Sequence, residues 1–437
     1  GAGVEKRTIT FAILNDEYTL DVLDWNGDGR ADILVAYDDA AFIMSGAAVA
    51  PGTTVIPVNA GNQLATISRN GTSADLDAKA RVVGDVNGDG LDDIVFAEES
   101  NSGSTQAYLL LGRTGTGAIQ LETQSAAVFD LSGLGGRVFE LGDIDRDGYD
   151  DIGFTRGEET EDAAGVLVFR GSADLTNGAN LTLTEADAAL RFFRGVEGSL
   201  DGGLKWIGLP QLTAGDFNGD GRMDIAIGDH GRFLGIADQL LDSFVRSEVL
   251  VFESAAQYIG SGSARLDFSQ ADVRYLGEQE FDVNRILLLA LGGALGMFAG
   301  GPSIDVDRDG VDDLIIGSGV VDVNVDDFQL AAGKIYFVTG KRGGTELPDY
   351  AVPLVNRTVP GSGSFLVSDS GVPEIFDSIL TPDIDGDGIN DFTLQPGDAA
   401  KWFRFTTLGD GKAGDQIRLL QAAHERETVL LRGDDDL

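Results

Sequence analysis

Oxygen-bearing side chains at alternate positions, then a glycine, then one more acid, can wrap a hard cation, and this chain repeats that spacing six times. The pattern is Asp-x-(Asp/Asn)-x-Asp-Gly-x-x-Asp. Its copies begin at Asp24 (DWNGDGRAD), Asp85 (DVNGDGLDD), Asp143 (DIDRDGYDD), Asp216 (DFNGDGRMD), Asp305 (DVDRDGVDD) and Asp383 (DIDGDGIND). In the first copy, Asp24, Asn26 and Asp28 offer side-chain oxygens that a tight loop can turn inward. Gly29 follows where the chain must bend sharply, which a residue without Cβ does cheaply at positive φ. The carbonyl of Arg30 then faces inward and Asp32 closes the shell. An all-oxygen set without His or Cys suits Ca²⁺ better than Zn²⁺ or copper, and Mg²⁺ prefers to keep several waters in a strict octahedron. Three or four carboxylates within nine residues also repel one another unless a cation neutralises them. A bare hairpin turn needs only the Gly and one Asx residue. Six crowded copies therefore favour about six Ca²⁺ sites over six plain turns.

The elements that must hold these loops are strands. An EF-hand would place Glu at the twelfth position and helices on either side, and all six copies lack that Glu. The second position is instead apolar throughout (Trp25, Val86, Ile144, Phe217, Val306, Ile384), as is the tenth (Ile33, Ile94, Ile152, Ile225, Leu314, Phe392). One strand enters each loop, as in Ala80–Gly84, and another leaves it, as in Asp93–Phe96 or Asp313–Gly317. A third strand is expected over Gly165–Phe169, Glu248–Phe252 or Lys334–Val338, and a fourth over Leu181–Leu183 or Val352–Val355. Copies start roughly 60 to 90 residues apart, far longer than the nine-residue units of a calcium-binding solenoid. The residues after Asp383 and those up to Asp24 together make one further repeat length. Four short antiparallel strands per repeat predict an all-β β-propeller spanning residues 1–437, with an acidic tail at 424–437. Six blades are expected, or seven if the longest interval hides a blade without a loop. Closure is expected from Thr8–Leu14 beside Lys401–Thr406 or Gln416–Leu420.

These loops, and GDVNGDGLDDIVF at Gly84–Phe96 most of all, resemble the FG-GAP family, the calcium-binding propeller repeats of integrin α-subunits and of many bacterial surface proteins. The resemblance covers nearly the whole chain, although the Phe-Gly and Gly-Ala-Pro signatures that name the repeat are absent and integrin heads have seven blades. It implies side-chain ligation by Asp24, Asn26, Asp28 and Asp32; by Asp85, Asn87, Asp89 and Asp93; by Asp143, Asp145, Asp147 and Asp151; by Asp216, Asn218, Asp220 and Asp224; by Asp305, Asp307, Asp309 and Asp313; and by Asp383, Asp385, Asp387 and Asp391. It adds the carbonyls of Arg30, Leu91, Tyr149, Arg222, Val311 and Ile389. In that family partners usually dock on the rim away from the loops; the likeness here is to its bacterial branch, and integrin-style partner binding does not carry over.

Composition narrows the function classes. With 72 acidic against 31 basic residues the net charge is −41, which repels phosphate backbones and argues against nucleic acid as a partner. The chain has no Cys and 61 Gly, which together with the Asp enrichment suggests a bacterial protein exported to a calcium-rich exterior, whether secreted or at the cell surface. No signal peptide is visible, so the chain is expected to be a mature form or part of a larger surface protein. The uncharged run Ile286–Ile304 leads into the fifth loop where a buried strand belongs, so no membrane insertion is expected.

No catalytic constellation stands out. The histidines are His230 and His424; neither has a Ser/His/Asp setting, and no Gly-x-Ser-x-Gly elbow or phosphate loop is present. Acidic pairs such as Glu158 and Glu159 are too common here to single out. Of the tryptophans, Trp25 is expected in the core, Trp402 in a strand, and Trp206 is the candidate for stacking on a sugar. The Arg432-Gly433-Asp434 tripeptide sits in the acidic tail, where chance occurrence is the simpler reading. The expectation is a non-enzymatic, calcium-stabilised binding module for adhesion to a protein or glycan. The alternatives are a lectin for neutral glycans or the propeller of a secreted hydrolase or lyase. Recognition would fall on the variable loops Gly157–Ala164, His230–Ser247 and Val320–Ala332.

Overall fold

In the computed structural model the described residues are 8–10, 18–30, 32–37, 40–46, 62–69, 80–97, 104–132, 134–156, 165–193, 205–206, 210–229, 232–233, 248–259, 264–276, 295–300, 310–321, 332–338, 340, 352–353, 364–366, 376–380, 392–396, 402–408, 416–423 and 428–430. They are almost wholly β. Each acidic loop position is bracketed by an antiparallel pair: Tyr18–Leu23 with Asp32–Tyr37, Ala80–Gly84 with Asp93–Ala97, Leu134–Gly142 with Asp151–Arg156, Gln211–Gly215 with Asp224–Asp229, Leu295–Gly300 with Leu314–Val321, and Phe376–Leu380 with Phe392–Pro396. Two further antiparallel strands extend each hairpin into a four-stranded meander. The sheets are thus all-β, four-stranded at heart and of propeller-blade type.

The second, third and fourth meanders bury both faces, which is why their middle strands read as continuous apolar runs and not as alternation. In Asp93–Ala97 all five residues are buried. Ile94 and Phe96 join a core cluster shared with the first meander, while Val95 and Ala97 join one shared with the third. The same division recurs along the chain, so each of the four core clusters lies between two consecutive sheets. Aromatic rings bridge them. Phe129 of the second meander meets Phe154 and Phe169 of the third at centroid distances of 4.7 and 5.0 Å, and Phe192 of the third meets Phe252 of the fourth at 4.8 Å. Fully burying one such side chain stabilises the fold by about 1.5–3 kcal/mol. The loops are therefore mounted on stacked sheets that cannot shift singly without opening a core.

The fourth strands differ from expectation. They are Gln63–Ser68, Ala127–Ser132, Leu190–Phe193, Val273–Leu276, Ser364–Leu366 and Gln416–Ala423. Leu181–Leu183 and Val352–Pro353 are instead fifth, parallel strands, added to the outer edge of the preceding sheet beside Ala127–Ser132 and Val273–Leu276. Gly117–Gln120 and Ala264–Asp267 do the same for the first and third sheets. In all four cases the connection between third and fourth strands reaches back one unit. An open edge offers unpaired N–H and C=O groups, and a two- to four-residue run suffices to occupy them. The fifth and sixth meanders are joined through a parallel contact of Ala299 and Gly300 with Ile379 and Leu380 into one eight-stranded sheet.

Chain ends also pair differently. Thr8–Thr10 runs antiparallel to Thr428–Leu430 as a separate two-stranded sheet, not beside Trp402–Leu408 or Gln416–Ala423. Trp402–Leu408 has both edges taken, by Phe392–Pro396 and by Gln416–Ala423. The uncharged run 286–304, expected to hold a strand, contributes Leu295–Gly300, and no helix among the described residues is long and apolar enough to cross a membrane.

Candidate metal centre

Four loops are described nearly throughout, at Asp24, Asp85, Asp143 and Asp216, and they share one internal wiring. The first-position carboxylate accepts from the backbone of the turn that follows it. Asp85 Oδ1 takes Asp89 N–H at 2.9 Å and Oδ2 takes Gly90 N–H at 2.7 Å. Asp24, Asp143 and Asp216 hold the equivalent amides at 2.7–3.1 Å. The fifth-position carboxylate caps the seventh amide, as Asp28 does for Arg30 and Asp220 for Arg222. Such side-chain-to-backbone bonds wind the loop around its own acids, where a plain hairpin turn would face them outward. The sixth-position glycines have φ between 75° and 92° (Gly29, Gly90, Gly148, Gly221), as the bend required.

The ninth-position acid is the buried member. Asp32, Asp93, Asp151 and Asp224 have no solvent exposure, and Asp313 has 5%. Asp93 Oδ2 accepts from Val86 N–H at 2.9 Å and Oδ1 from Gly112 N–H at 2.8 Å. Asp151 and Asp224 likewise tie the second loop residue to the end of the third strand. Asp32 and Asp313 hold the third-strand end through Gly46 and Gly340. A carboxylate oxygen has two lone pairs, so one N–H bond leaves room for a cation on the same atom. Burial raises these groups against the opposing pull of the backbone bonds: Asp93, Asp151 and Asp224 to about 8 and Asp32 to about 6, with neighbouring loop carboxylates adding to the effect. Four acids held this far from their ordinary range mark the positions where positive charge is wanted.

The third loop shows the donor set most fully. One oxygen from each of Asp143, Asp145 and Asp151 lies within 4.8 Å of the others. Asp145 Oδ1 is buried with no hydrogen-bond partner, and an oxygen-only cluster with a buried unpartnered acceptor fits a hard divalent cation. The fourth acid, Asp147, is drawn into an ion pair with Arg170. That guanidinium also holds Asp145, at 2.6 Å from Nε to Oδ2. Arg170 thus offsets the extra charge of a loop that carries Asp, not Asn, at its third position. In the second loop Asn87 itself bridges to Asp89, Nδ2 to Oδ2 at 3.1 Å.

Other expected residues are placed as follows. The apolar second positions Trp25, Val86, Ile144 and Phe217 are all buried, and Arg113 lies over the Trp25 ring at 5.8 Å, so Trp25 is a core residue. In the fifth loop Val311 and Asp313 are buried, whereas Asp305, Asp307 and Asp309 lie outside the described residues. So do the whole sixth loop (Asp383, Asp385, Asp387, Ile389, Asp391), His230, His424 and the Arg432-Gly433-Asp434 tripeptide. The variable stretch 157–164 and most of 230–247 and 320–332 are outside them too. Trp206 belongs to a short strand paired with Arg232–Phe233.

Sequence reasoning missed the eighth position. Asp92 Oδ2 accepts from Asp24 N–H of the preceding loop at 2.5 Å, Asp150 Oδ2 from Asp85 N–H at 2.8 Å, and Asp312 Oδ2 from Asp216 N–H at 2.6 Å. Each pair is reciprocal, because the eighth-position amide donates back to the first-position carbonyl at 3.0–3.3 Å. The fit is close: a Cβ on Gly84 would come within 2.2 Å of Asp150 Oδ2. The doubled acid in DGLDD, DGYDD and DGVDD was the available signal.

Hairpins carrying an oxygen-lined loop at the head of each of the first four four-stranded meanders define β-propeller repeats. The comparisons agree on which kind. The FG-GAP-like repeat matches residues 85–154 and the FG-GAP repeat matches residues 209–233, so both matches include a complete loop. Integrin alpha-4 of Xenopus laevis is 29% identical over 157 residues, covering 33% of this chain and 13% of that protein. The chain thus contains FG-GAP-type repeats and is similar, over about a third of its length, to part of an integrin α-subunit.

Proposed function

We propose that the chain is a single calcium-stabilised propeller, six-bladed and without catalytic function, that serves as an extracellular or surface binding module in adhesion to a protein or glycan partner. The observation carrying this reading is the third loop, where three acids converge around a buried, unpartnered carboxylate oxygen on a rigid hairpin. The similarity to an integrin α-subunit supports the adhesive role and the exterior location, where millimolar Ca²⁺ would keep the loops filled. Bound Ca²⁺ would supply positive charge to carboxylates that burial otherwise penalises, and its binding free energy would add to folding stability. The side chains at positions one, three, five and nine would hold the ion, and the hairpin wiring would keep them aimed without it. Partner recognition would use the loops away from the metal rim.

The test is thermal unfolding in 2 mM Ca²⁺ and in excess EGTA. At free Ca²⁺ about a hundredfold above Kd, each filled site adds about 2.7 kcal/mol, so several sites predict a drop in melting temperature of well over ten degrees on chelation. Equal melts would refute the structural role of calcium.

A further inference from the structure

We propose that the metal loops are coupled in sets through their eighth-position aspartates: loops one, two and three by Asp92 and Asp150, and loops four and five by Asp312. This rests on the calcium reading above and extends it from separate sites to linked ones. Each of the three acids reaches across a sheet-to-sheet boundary and accepts from the amide of the first ligand residue in the preceding loop. The return bond from the eighth amide to the first carbonyl closes a two-bond clasp. What the clasp grips is the backbone of Asp24, Asp85 and Asp216, whose side chains organise their loops. A cation that fixes Asp85 therefore fixes the amide that donates to Asp150, and ordering of one loop lowers the cost of ordering the next.

The boundaries of the sets are written at the same position. The first loop has Ala31 there and the fourth has Met223. Neither Ala nor Met can accept a hydrogen bond from an amide in this way, so the linkage stops between loops three and four and does not extend from loop one to the unit before it. Packing reinforces each clasp. Arg113 N–H donates to Trp25 C=O at 3.0 Å and Ser172 N–H to Val86 C=O at 2.8 Å, both from one unit into the loop of the previous one. A Cβ on Gly112 would lie 3.2 Å from Trp25 O and one on Gly171 would lie 2.6 Å from Val86 O, both in the neighbouring loop. The coupling path is thus direct backbone contact between adjacent loops, not a chain of intermediates.

Asp92 is a positioning residue in this account, since it is not among the oxygens that face its own loop's centre. The experiment is a Tb³⁺ titration of the full chain, with luminescence sensitised by Trp25 as the reporter of the first loop and Trp25→Phe as its blank. Wild type, Asp92→Ala and Asp92→Asn are compared, with amide hydrogen exchange of the Leu23–Asn26 segment measured on each in EGTA. The expected result is a roughly tenfold loss of Tb³⁺ affinity at the first loop in Asp92→Ala, within the range of measured coupling between sites. Faster exchange of the segment should accompany it. Asp92→Asn retains an acceptor oxygen and should restore both. An Asp92→Asn variant as weak as Asp92→Ala would mean that charge, not the clasp, is responsible, and would overturn the proposal. So would unchanged affinity and exchange in Asp92→Ala. A wild-type protein that shows no Trp25-sensitised signal while its exchange responds to Asp92→Ala would instead refute metal binding at the first loop and leave a purely structural clasp.

Discussion

Replacing Asp93 by Ala should destabilise the second meander even with no metal present. The carboxylate holds two backbone donors, Val86 N–H at 2.9 Å and Gly112 N–H at 2.8 Å, in a site with no solvent exposure. Leaving a buried donor unsatisfied costs about 1–3 kcal/mol, so the two together predict a loss of about 2–6 kcal/mol. Asn at the same position can accept only through its one oxygen, and its amide would face the second donor; about half of the loss should remain. The assay is urea unfolding in EGTA, which removes any metal contribution, paired with hydrogen exchange across Ile94–Ala97 to localise the effect. Repeating the series in Ca²⁺ adds the loss of a ligand, so the gap between wild type and Asp93→Asn should widen. If Asp93→Ala unfolds in EGTA within about 0.5 kcal/mol of wild type, the two bonds do not contribute as argued and the ninth acid matters only as a ligand.

Three further outcomes follow from the loop electrostatics. Arg170→Gln removes the guanidinium that engages Asp145 and Asp147; the third loop should then exchange faster in EGTA yet bind Ca²⁺ several-fold more tightly, as measured by calorimetry, and weaker binding would contradict a compensating role. Asp93, Asp151 and Asp224 hold their protons up to about pH 8 in the metal-free fold, against 3.8 for the free side chain. The folded state therefore binds more protons than the unfolded one between those values, and metal-free stability falls as pH rises through that window. A cation displaces these protons, so Ca²⁺ binding at pH 7 should release them, detectable as a calorimetric heat that changes with the ionisation enthalpy of the buffer. No net release would show that the ninth acids are not ligands.

Much of this architecture is visible in the residues themselves. The apolar second and tenth positions fix a strand on each side of the loop, because an apolar residue flanking a carboxylate cluster must turn to a core. The same pattern could not reveal that the ninth acid is tied to the end of the third strand, since the donor amide lies 14 to 30 residues away, as in Asp32 with Gly46 and Asp224 with Ser254. Leu181–Leu183 has strand composition, and nothing local states whether it pairs with its own sheet or with the one before. The pairing is set by where the third-to-fourth connection can reach. Thr428–Leu430, the partner of Thr8–Thr10, has no local feature that favours it over the longer strands nearby, of which Trp402–Leu408 has both edges engaged. Arg170 is the residue that only geometry could identify, an arginine one position before a glycine that otherwise marks the end of a strand.

The parallel fifth strands have a consequence for how the chain is made. Each of the first four sheets receives its outer cover from the connection of the following repeat, so during synthesis a newly completed meander waits with a bare edge until most of the next unit has emerged. The first four sheets are sealed in turn, from the N-terminus onward, by segments of only two to four residues. A chain halted between repeats would display the raw edge of its last sheet, in the form best suited to pair with another halted copy. Fragments cut at repeat boundaries should accordingly tend to self-associate, whereas cuts placed just beyond Gln120, Leu183 or Asp267 would carry their own seal.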